Sequence, residues 1–275
     1  MNLKNNSIIT SCPLCSSKNI KTQKLQKQKI EKCISCNLQF IKTRSQNTSY
    51  FKNYNKFRNH TSSHFKLRLK QYEIDSNFLS NIISKGNILD VGCSDGIFLN
   101  KLNQVGIYNL FGIDPDEMAI KNAKKKFPKI KFESSNLLEF ESKIKFDAII
   151  FRGSFQFLGL ELQDTLKKLH HISKRKTKFF FFSLPNSDSF LYYLFKEKWN
   201  LFDEKSHKLI FNKFSIERLC KLYNFEIEHI SYPYIDTPYA NPLKDYKKIM
   251  RSIRLGNFVN VPFWGNMMQL VLKIK

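Results

Sequence analysis

The stretch Ile88-Leu89-Asp90-Val91-Gly92-Cys93-Ser94-Asp95-Gly96-Ile97-Phe98-Leu99 constrains this chain most. An apolar run of strand length ends on a carboxylate, passes through a glycine-bearing turn and opens into an amphipathic helix. Glycine allows the backbone to approach a ligand closely, and a helix N-terminus favours an anion. Such a segment belongs at the carboxyl end of a parallel strand. Alone it would suit any dinucleotide fingerprint. The spacing is tighter than Gly-x-Gly-x-x-Gly, however, and an acid precedes the first glycine. Phe111-Gly112-Ile113-Asp114-Pro115 follows, with Asp114 24 positions after Asp90. A carboxylate ending a second strand there can accept hydrogen bonds from both ribose hydroxyls.

Around this motif two periods alternate. Asn87–Val91, Leu110–Ile113, Ile130–Glu133, Phe146–Phe151 and Lys178–Leu184 read as strands. His64–Ile83, Ile97–Val105, Glu117–Phe127 and Gln163–Ile172 carry apolar residues at helical spacing. A helix at Ser215–Tyr223 and strands at Phe225–Ile230 and Met267–Ile274 follow, the last after a Pro- and Tyr-rich stretch. The expected fold class is α/β: a Rossmann-like seven-stranded sheet with helices on both faces. Asp188–His207, with Tyr192, Tyr193, Phe195 and Trp199, is too long for an ordinary loop. It is expected to form an aromatic lid over the ligand-binding edge.

Four of the six cysteines lie in two Cys-x-x-Cys units, Cys12-Pro-Leu-Cys15 and Cys33-Ile-Ser-Cys36. Two residues between thiolates let a tight turn aim both sulfurs at one ion, and a second such pair completes a tetrahedron. The 17 residues between the pairs, positions 16–32, suit a zinc ribbon. With four protein ligands the metal, Zn2+, would be structural. Cys93 and Cys220 sit inside apolar patterns, as buried small residues do. The chain therefore divides into a zinc-binding ribbon at 1–42, a connector and helix at 43–84, and a main domain at 85–275 with the lid around 187–212. The connector carries Tyr50, Phe51, Tyr54 and Phe57, rings expected to pack on something.

Composition adds little about function. The formal charge is +23. A nucleic acid or an anionic membrane would answer it. So would a general bias, because Lys, Asn and Ile are abundant throughout and Lys outnumbers Arg, the residue suited to planar phosphate recognition. No apolar run approaches membrane-spanning length. Met1–Thr10 is polar without a secretory core, so a cytoplasmic location is expected.

At Asp90–Gly96 and Phe111–Pro115 the chain resembles the class I S-adenosylmethionine-dependent methyltransferases. The resemblance runs on through Phe146-Asp147-Ala148-Ile149-Ile150, Ser183-Leu184-Pro185-Asn186 and His207-Lys208-Leu209-Ile210-Phe211 ahead of Phe214-Ser215. With the paired knuckles and the aromatic connector it is similar to a subgroup associated with cell-surface polysaccharide and sugar modification. The resemblance implies S-adenosylmethionine as cofactor. Asp90, Gly92, Cys93, Ser94 and Gly96 would shape its methionine pocket, and Asp114 and Pro115 would hold the ribose. Asn136 and Leu137 would lie by the adenine, Arg152 and Gly153 beside the methyl group. Two departures stand out: Ser94 replaces a frequent glycine, and Gln156-Phe157 replaces a Glu-His or Gln-His pair.

Methyl transfer from a sulfonium is an in-line displacement that depends on alignment, and a hydroxyl acceptor must also lose a proton. His207, just after the aromatic segment, is the candidate base; pinning the lid by a hydrogen bond is its other reading. Glu204 and Tyr192 are weaker candidates. The acceptor expected from the resemblance is a small molecule or glycan. An RNA acceptor docked through the zinc unit and basic surface is a second reading, and a cofactor-binding scaffold without catalysis a third.

Overall fold

The computed structural model describes residues 10–25, 28–42, 63–196, 199, 208–257 and 261–275. Tyr50, Phe51, Tyr54 and Phe57, with Glu204 and His207, lie outside them. The chain opens with β1 (Ile20–Leu25), β2 (Gln28–Cys33) and the short β3 (Gln39–Phe40). Helix α1 (Ser63–Ile82) leads into β4 (Lys85–Val91), α2 (Ile97–Leu102), β5 (Ile107–Asp114), α3 (Glu117–Lys126), β6 (Lys131–Ser134) and β7 (Phe146–Arg152). Then come α4 (Leu162–Ile172), β8 (Ser173–Pro185), α5 (Phe190–Phe195), β9 (Leu209–Ile210), α6 (Lys213–Leu222), β10 (Phe225–Ser231), α7 (Pro242–Leu255) and β11 (Met267–Ile274).

Seven strands form one sheet in the order β10-β11-β8-β7-β4-β5-β6. The five strands from β8 to β6 are parallel, and β11 runs antiparallel between β8 and β10. The apolar runs at its centre are there because both faces are covered. Alternation along each strand sends side chains to opposite layers. Leu89, Ile149, Phe151, Phe179 and Phe181 share a core with Leu166 and Leu169 of α4 and Ile216 and Leu219 of α6. Their neighbours Ile88, Ala148, Ile150, Phe180 and Phe182 belong to the other layer, with Leu79 of α1, Leu99 of α2 and Ile120 of α3. This is the expected α/β fold.

The first three strands form a second sheet, in the order β1-β2-β3-β9. Its fourth strand is borrowed from the main domain: Gln39 pairs with Ile210 and Phe40 with Leu209. Cys12, Leu14, Leu38 and Phe40 are buried in the same core as α4 and α6. Tyr223 donates its hydroxyl to the Leu14 carbonyl at 3.2 Å. The ribbon is thus fixed to the sheet domain by backbone pairing and by shared apolar burial.

The Pro- and Tyr-rich stretch contains a helix that the sequence pattern does not disclose. Pro242 starts α7, the Asn241 side chain accepts from Lys244 N, and Gly256 ends the helix in a left-handed conformation at φ 64°. In the lid segment, Trp199 is buried and packs edge-on against Tyr192 at 5.2 Å. The Tyr192 hydroxyl donates to Gln39 at 2.8 Å, so these rings hold the segment against the ribbon.

Candidate functional site

The strand order reverses between β4 and β7, and the turn that leaves β4 lies at this switch point, at the carboxyl end where open α/β sheets bind ligands. Three of its residues have left-handed backbones: Gly92 (φ 85°), Ser94 (φ 53°) and Gly96 (φ 75°). A side chain on Gly96 would meet the Phe132 ring at 2.5 Å, so only glycine fits there. Ser94 adopts the conformation for which glycine is favoured, and a short polar side chain tolerates it.

β5 holds this turn in place. Gly92 N and Cys93 N donate to the Ile113 carbonyl at 2.8 and 3.0 Å. Asp114 accepts from Ser94 N at one oxygen and from Asp116 N at the other, both at 2.9 Å. Asp114 is not the cap of α3; that task falls to Asp116, which accepts from Ala119 N at 3.0 Å. Pro115 links the two acids. Cys93 is buried, its sulfur directed towards Gly112.

Asp90 sits beneath the turn, 2% exposed. Its Oδ1 has no hydrogen-bond partner among the described residues. Burial pushes its carboxyl up to about 7; the nearby Arg152 opposes this and Asp114 adds to it. An ionised carboxylate left in this state is costly unless a cation reaches it.

Arg152, at the end of β7, directs its charge to α1. Its Nε contacts the Asp75 carboxylate at 2.9 Å, and its guanidinium lies over the Tyr72 ring at 4.0 Å. Asp75 also accepts from the Gln71 amide at 2.8 Å. Burial raises the Asp75 carboxyl, and Arg152 counters it. Gly153 follows with φ 67°. Asn136 spends its side-chain oxygen on Leu138 N and Glu139 N, at 3.0 Å each, and Leu137 is buried in the core. Asp75, Gln71 and Tyr72 were not singled out from the sequence. A buried acid on a helix partnered across 77 positions leaves no local signal. Gln156 is 4% exposed with an unpartnered Oε1 among the described residues, close to Gly153.

His207, the candidate base, lies outside the described residues. His170 bonds the Tyr223 carbonyl at 2.7 Å and stacks on Phe225, while His229 contacts Ser231 at 2.9 Å. Both have structural partners.

At the other end of the chain the Sγ atoms of Cys12, Cys15, Cys33 and Cys36 lie within 4.8 Å of one another. Cys12–Cys36 and Cys15–Cys33 are each 3.6 Å apart. Ser16 (φ 57°) and Asn37 (φ 58°), one after each Cys pair, turn the chain back in left-handed conformations. The hydrogen bond between Cys12 and Cys36 lowers the Cys12 thiol and raises its partner's, while burial raises Cys15.

A mixed seven-stranded sheet with a glycine-bearing turn at its switch point is a Rossmann-like architecture. Solved structures share the fold. A SAM-dependent methyltransferase from Thermotoga maritima is 15% identical, with a TM-score of 0.57 over 82% of this chain and 97% of that one. The plantazolicin methyltransferase BpumL, solved with a desmethyl-plantazolicin analogue and S-adenosylhomocysteine, is 18% identical, with a TM-score of 0.53 over 83% and 91%. Magnesium protoporphyrin IX methyltransferase from Synechocystis PCC 6803, with bound S-adenosylmethionine, is 12% identical, with a TM-score of 0.54 over 83% and 93%. A search of curated proteins finds no match. The family described as "Methyltransferase domain" matches residues 54–230, more than half of the chain. The chain belongs to that family and is an S-adenosylmethionine-dependent methyltransferase.

Proposed function

We propose that this enzyme transfers the methyl group of S-adenosylmethionine to a small-molecule or glycan acceptor, such as a sugar or polysaccharide precursor. The cofactor supplies an electrophilic methyl on a sulfonium. The observation that supports its placement is Asp90, a buried carboxylate with one oxygen unpartnered among the described residues, under a glycine-rich turn. The positively charged methionine end of the cofactor would meet this carboxylate, whose neighbouring cation Arg152 is paired with Asp75. Gly92, Cys93, Ser94 and Gly96 then shape the methionine pocket, and Asp114 with Pro115 receives the ribose. The N–H groups of Ser94 and Asp116 fix the Asp114 carboxylate at the end of β5, beside the turn that leaves β4. Asn136 and Leu137 border the adenine, Arg152 and Gly153 the reacting carbon. His207 takes the proton of a hydroxyl acceptor.

The sugar assignment rests on the motifs shared with the polysaccharide-modifying subgroup. Incubation with S-adenosylmethionine and a panel of nucleotide sugars and glycans tests it, with S-adenosylhomocysteine as the readout. Turnover with a sugar-bearing acceptor supports the reading; turnover only with RNA would replace it by the second one, which the charge of +23 motivates.

We further propose one structural Zn2+ on Cys12, Cys15, Cys33 and Cys36. A tetrahedron with Zn–S bonds of about 2.3 Å sets its sulfurs roughly 3.8 Å apart, close to the 3.6 Å separations seen. Four thiolates fill the coordination shell and leave no open position for chemistry. Thiols paired for a metal suit a reducing compartment, which supports a cytoplasmic location.

A further inference from the structure

Helix α7 leaves an apolar side in water. Asp245 and Ile249 face inward: Asp245 accepts from the Tyr234 hydroxyl and from Asn241 N, both at 2.9 Å. Ile249 shares a buried cluster with Leu191 and Phe195 of α5 and with Val261. By contrast Leu243, Tyr246, Met250 and Ile253 are 79, 58, 46 and 45% exposed. Their spacing of three, four and three puts them on one stripe. Lys244, Lys247, Lys248, Arg251 and Arg254 are also exposed and occupy the adjoining arc. The helix thus has three separate sides: one in the core, one apolar and outward, one basic and outward.

Neighbouring elements also carry exposed apolar residues. On α5, Phe190 and Tyr193 are 60 and 61% exposed. Trp264, 53% exposed, packs against Tyr234 at 5.1 Å, the residue that anchors α7 through Asp245. α5 leaves the carboxyl end of β8. α7 follows the carboxyl end of β10, which runs parallel to β8 because both oppose β11. This surface therefore belongs to the same edge of the sheet as Asp90 and Asp114, which end β4 and β5.

We propose that this face docks on an anionic lipid bilayer, with the α7 stripe in the headgroup–acyl boundary and its basic arc on lipid phosphates. A second copy of the chain paired through the same face would oppose one basic arc to another. RNA would use the basic arc and leave the stripe in water. A bilayer surface answers both arcs at once, and the net charge of +23 adds long-range attraction. No helix among the described residues is long and apolar enough to cross a membrane, so the attachment is peripheral. The inference holds for any acceptor.

Co-sedimentation of the full chain with phosphatidylcholine vesicles, with and without phosphatidylglycerol, tests it. Binding is expected to vesicles containing phosphatidylglycerol, together with a blue shift in the emission of exposed Trp264. Met250→Ser with Ile253→Ser should lower partitioning about tenfold or more. Lys247→Glu with Arg251→Glu should lower it at least about tenfold, more steeply at low salt. Because all four side chains are exposed, far-ultraviolet circular dichroism and cofactor affinity should be unchanged in both variants. Failure to bind anionic vesicles overturns the proposal. So does binding that the Met250/Ile253 variant leaves intact, which would mark a charge-only surface of the kind RNA uses. A concentration-dependent dimer abolished by that same variant would assign the face to a second copy instead.

Discussion

Replacing Asp90 with asparagine tests the reading of the buried carboxylate. The carboxyl is 2% exposed and raised from 3.8 to about 7, chiefly by burial. That distance corresponds to roughly 4 kcal/mol. The sign follows from proton binding. Between about pH 4 and pH 7 the folded protein holds this proton and the unfolded chain does not, so the carboxyl's contribution to stability falls as pH rises through that window. Above pH 7 the full cost is present. Asparagine carries no charge but brings two N–H donors, which cost about 1–3 kcal/mol if unpaired. At pH 8 the variant should therefore be more stable than the parent by about 1–3 kcal/mol. At pH 5 the advantage should shrink or reverse. Urea unfolding of both proteins at both pH values reads this difference of differences and cancels the general charge repulsion they share. The variant should also bind S-adenosylmethionine at least about tenfold more weakly, having lost the anion that meets its positive end. An advantage that is equal at the two pH values, or absent, would refute the reasoning.

Asp114→Ala should weaken cofactor binding about ten- to a hundredfold by calorimetry, through the lost charge-assisted hydrogen bonds; unchanged affinity would remove it from the ribose site. Arg152→Met leaves Asp75 buried without its cation and should cost about 3–5 kcal/mol in urea unfolding. A loss below about 1 kcal/mol would mean that the pair is solvated. Cys33→Ser should release one zinc per chain and expose the ribbon to proteolysis, and protein purified without chelators that holds no stoichiometric metal would end that assignment. His207→Ala should lower turnover about 10²–10⁴-fold, abolish the acidic limb of the pH–rate profile and spare cofactor affinity. Near-normal turnover would pass the proton to another group.

The alternation of strand and helix was legible because its two periods differ, and each central strand alternates between layers as its apolar pattern requires. The turn after β4 was legible because few residues tolerate left-handed backbone; even the departure at Ser94 proves to occupy such a position at φ 53°. Three features were not legible. α7 carries apolar residues on both its buried and its outward sides, which blurs the polar–apolar contrast on which helical reading depends. β9 has two residues and pairs with a strand some 170 positions away, Gln39 with Ile210, so no local pattern marks it. The Arg152–Asp75 pair also joins distant residues, and Asp75 reads locally as an ordinary polar helix position.

Residues 208–212 tie the ribbon to the C-terminal half of the chain. Lys208 N donates to the Gln156 carbonyl at 3.0 Å, and its own carbonyl accepts from Ile41 N at 3.1 Å. Leu209 and Ile210 complete the ribbon sheet. The Phe211 carbonyl accepts from Ser187 N at 2.8 Å, and Phe211 bridges Asn186 at the end of the Ser-Leu-Pro-Asn segment. Asn212 caps α6 in a reciprocal pair with Ser215. Asn186 in turn donates its amide to the Gly265 carbonyl at 2.7 Å, ahead of β11. One short segment thus joins the cysteine-bearing ribbon, the end of β7 beside the candidate site, and the antiparallel edge of the main sheet. A metal at the four cysteines would release about 10–16 kcal/mol on binding. Part of that free energy would hold β9, which completes the ribbon sheet. A closed zinc site without chemistry of its own would in this way steady β9, and with it the backbone contacts that Lys208 makes to Gln156 and Phe211 makes to Ser187.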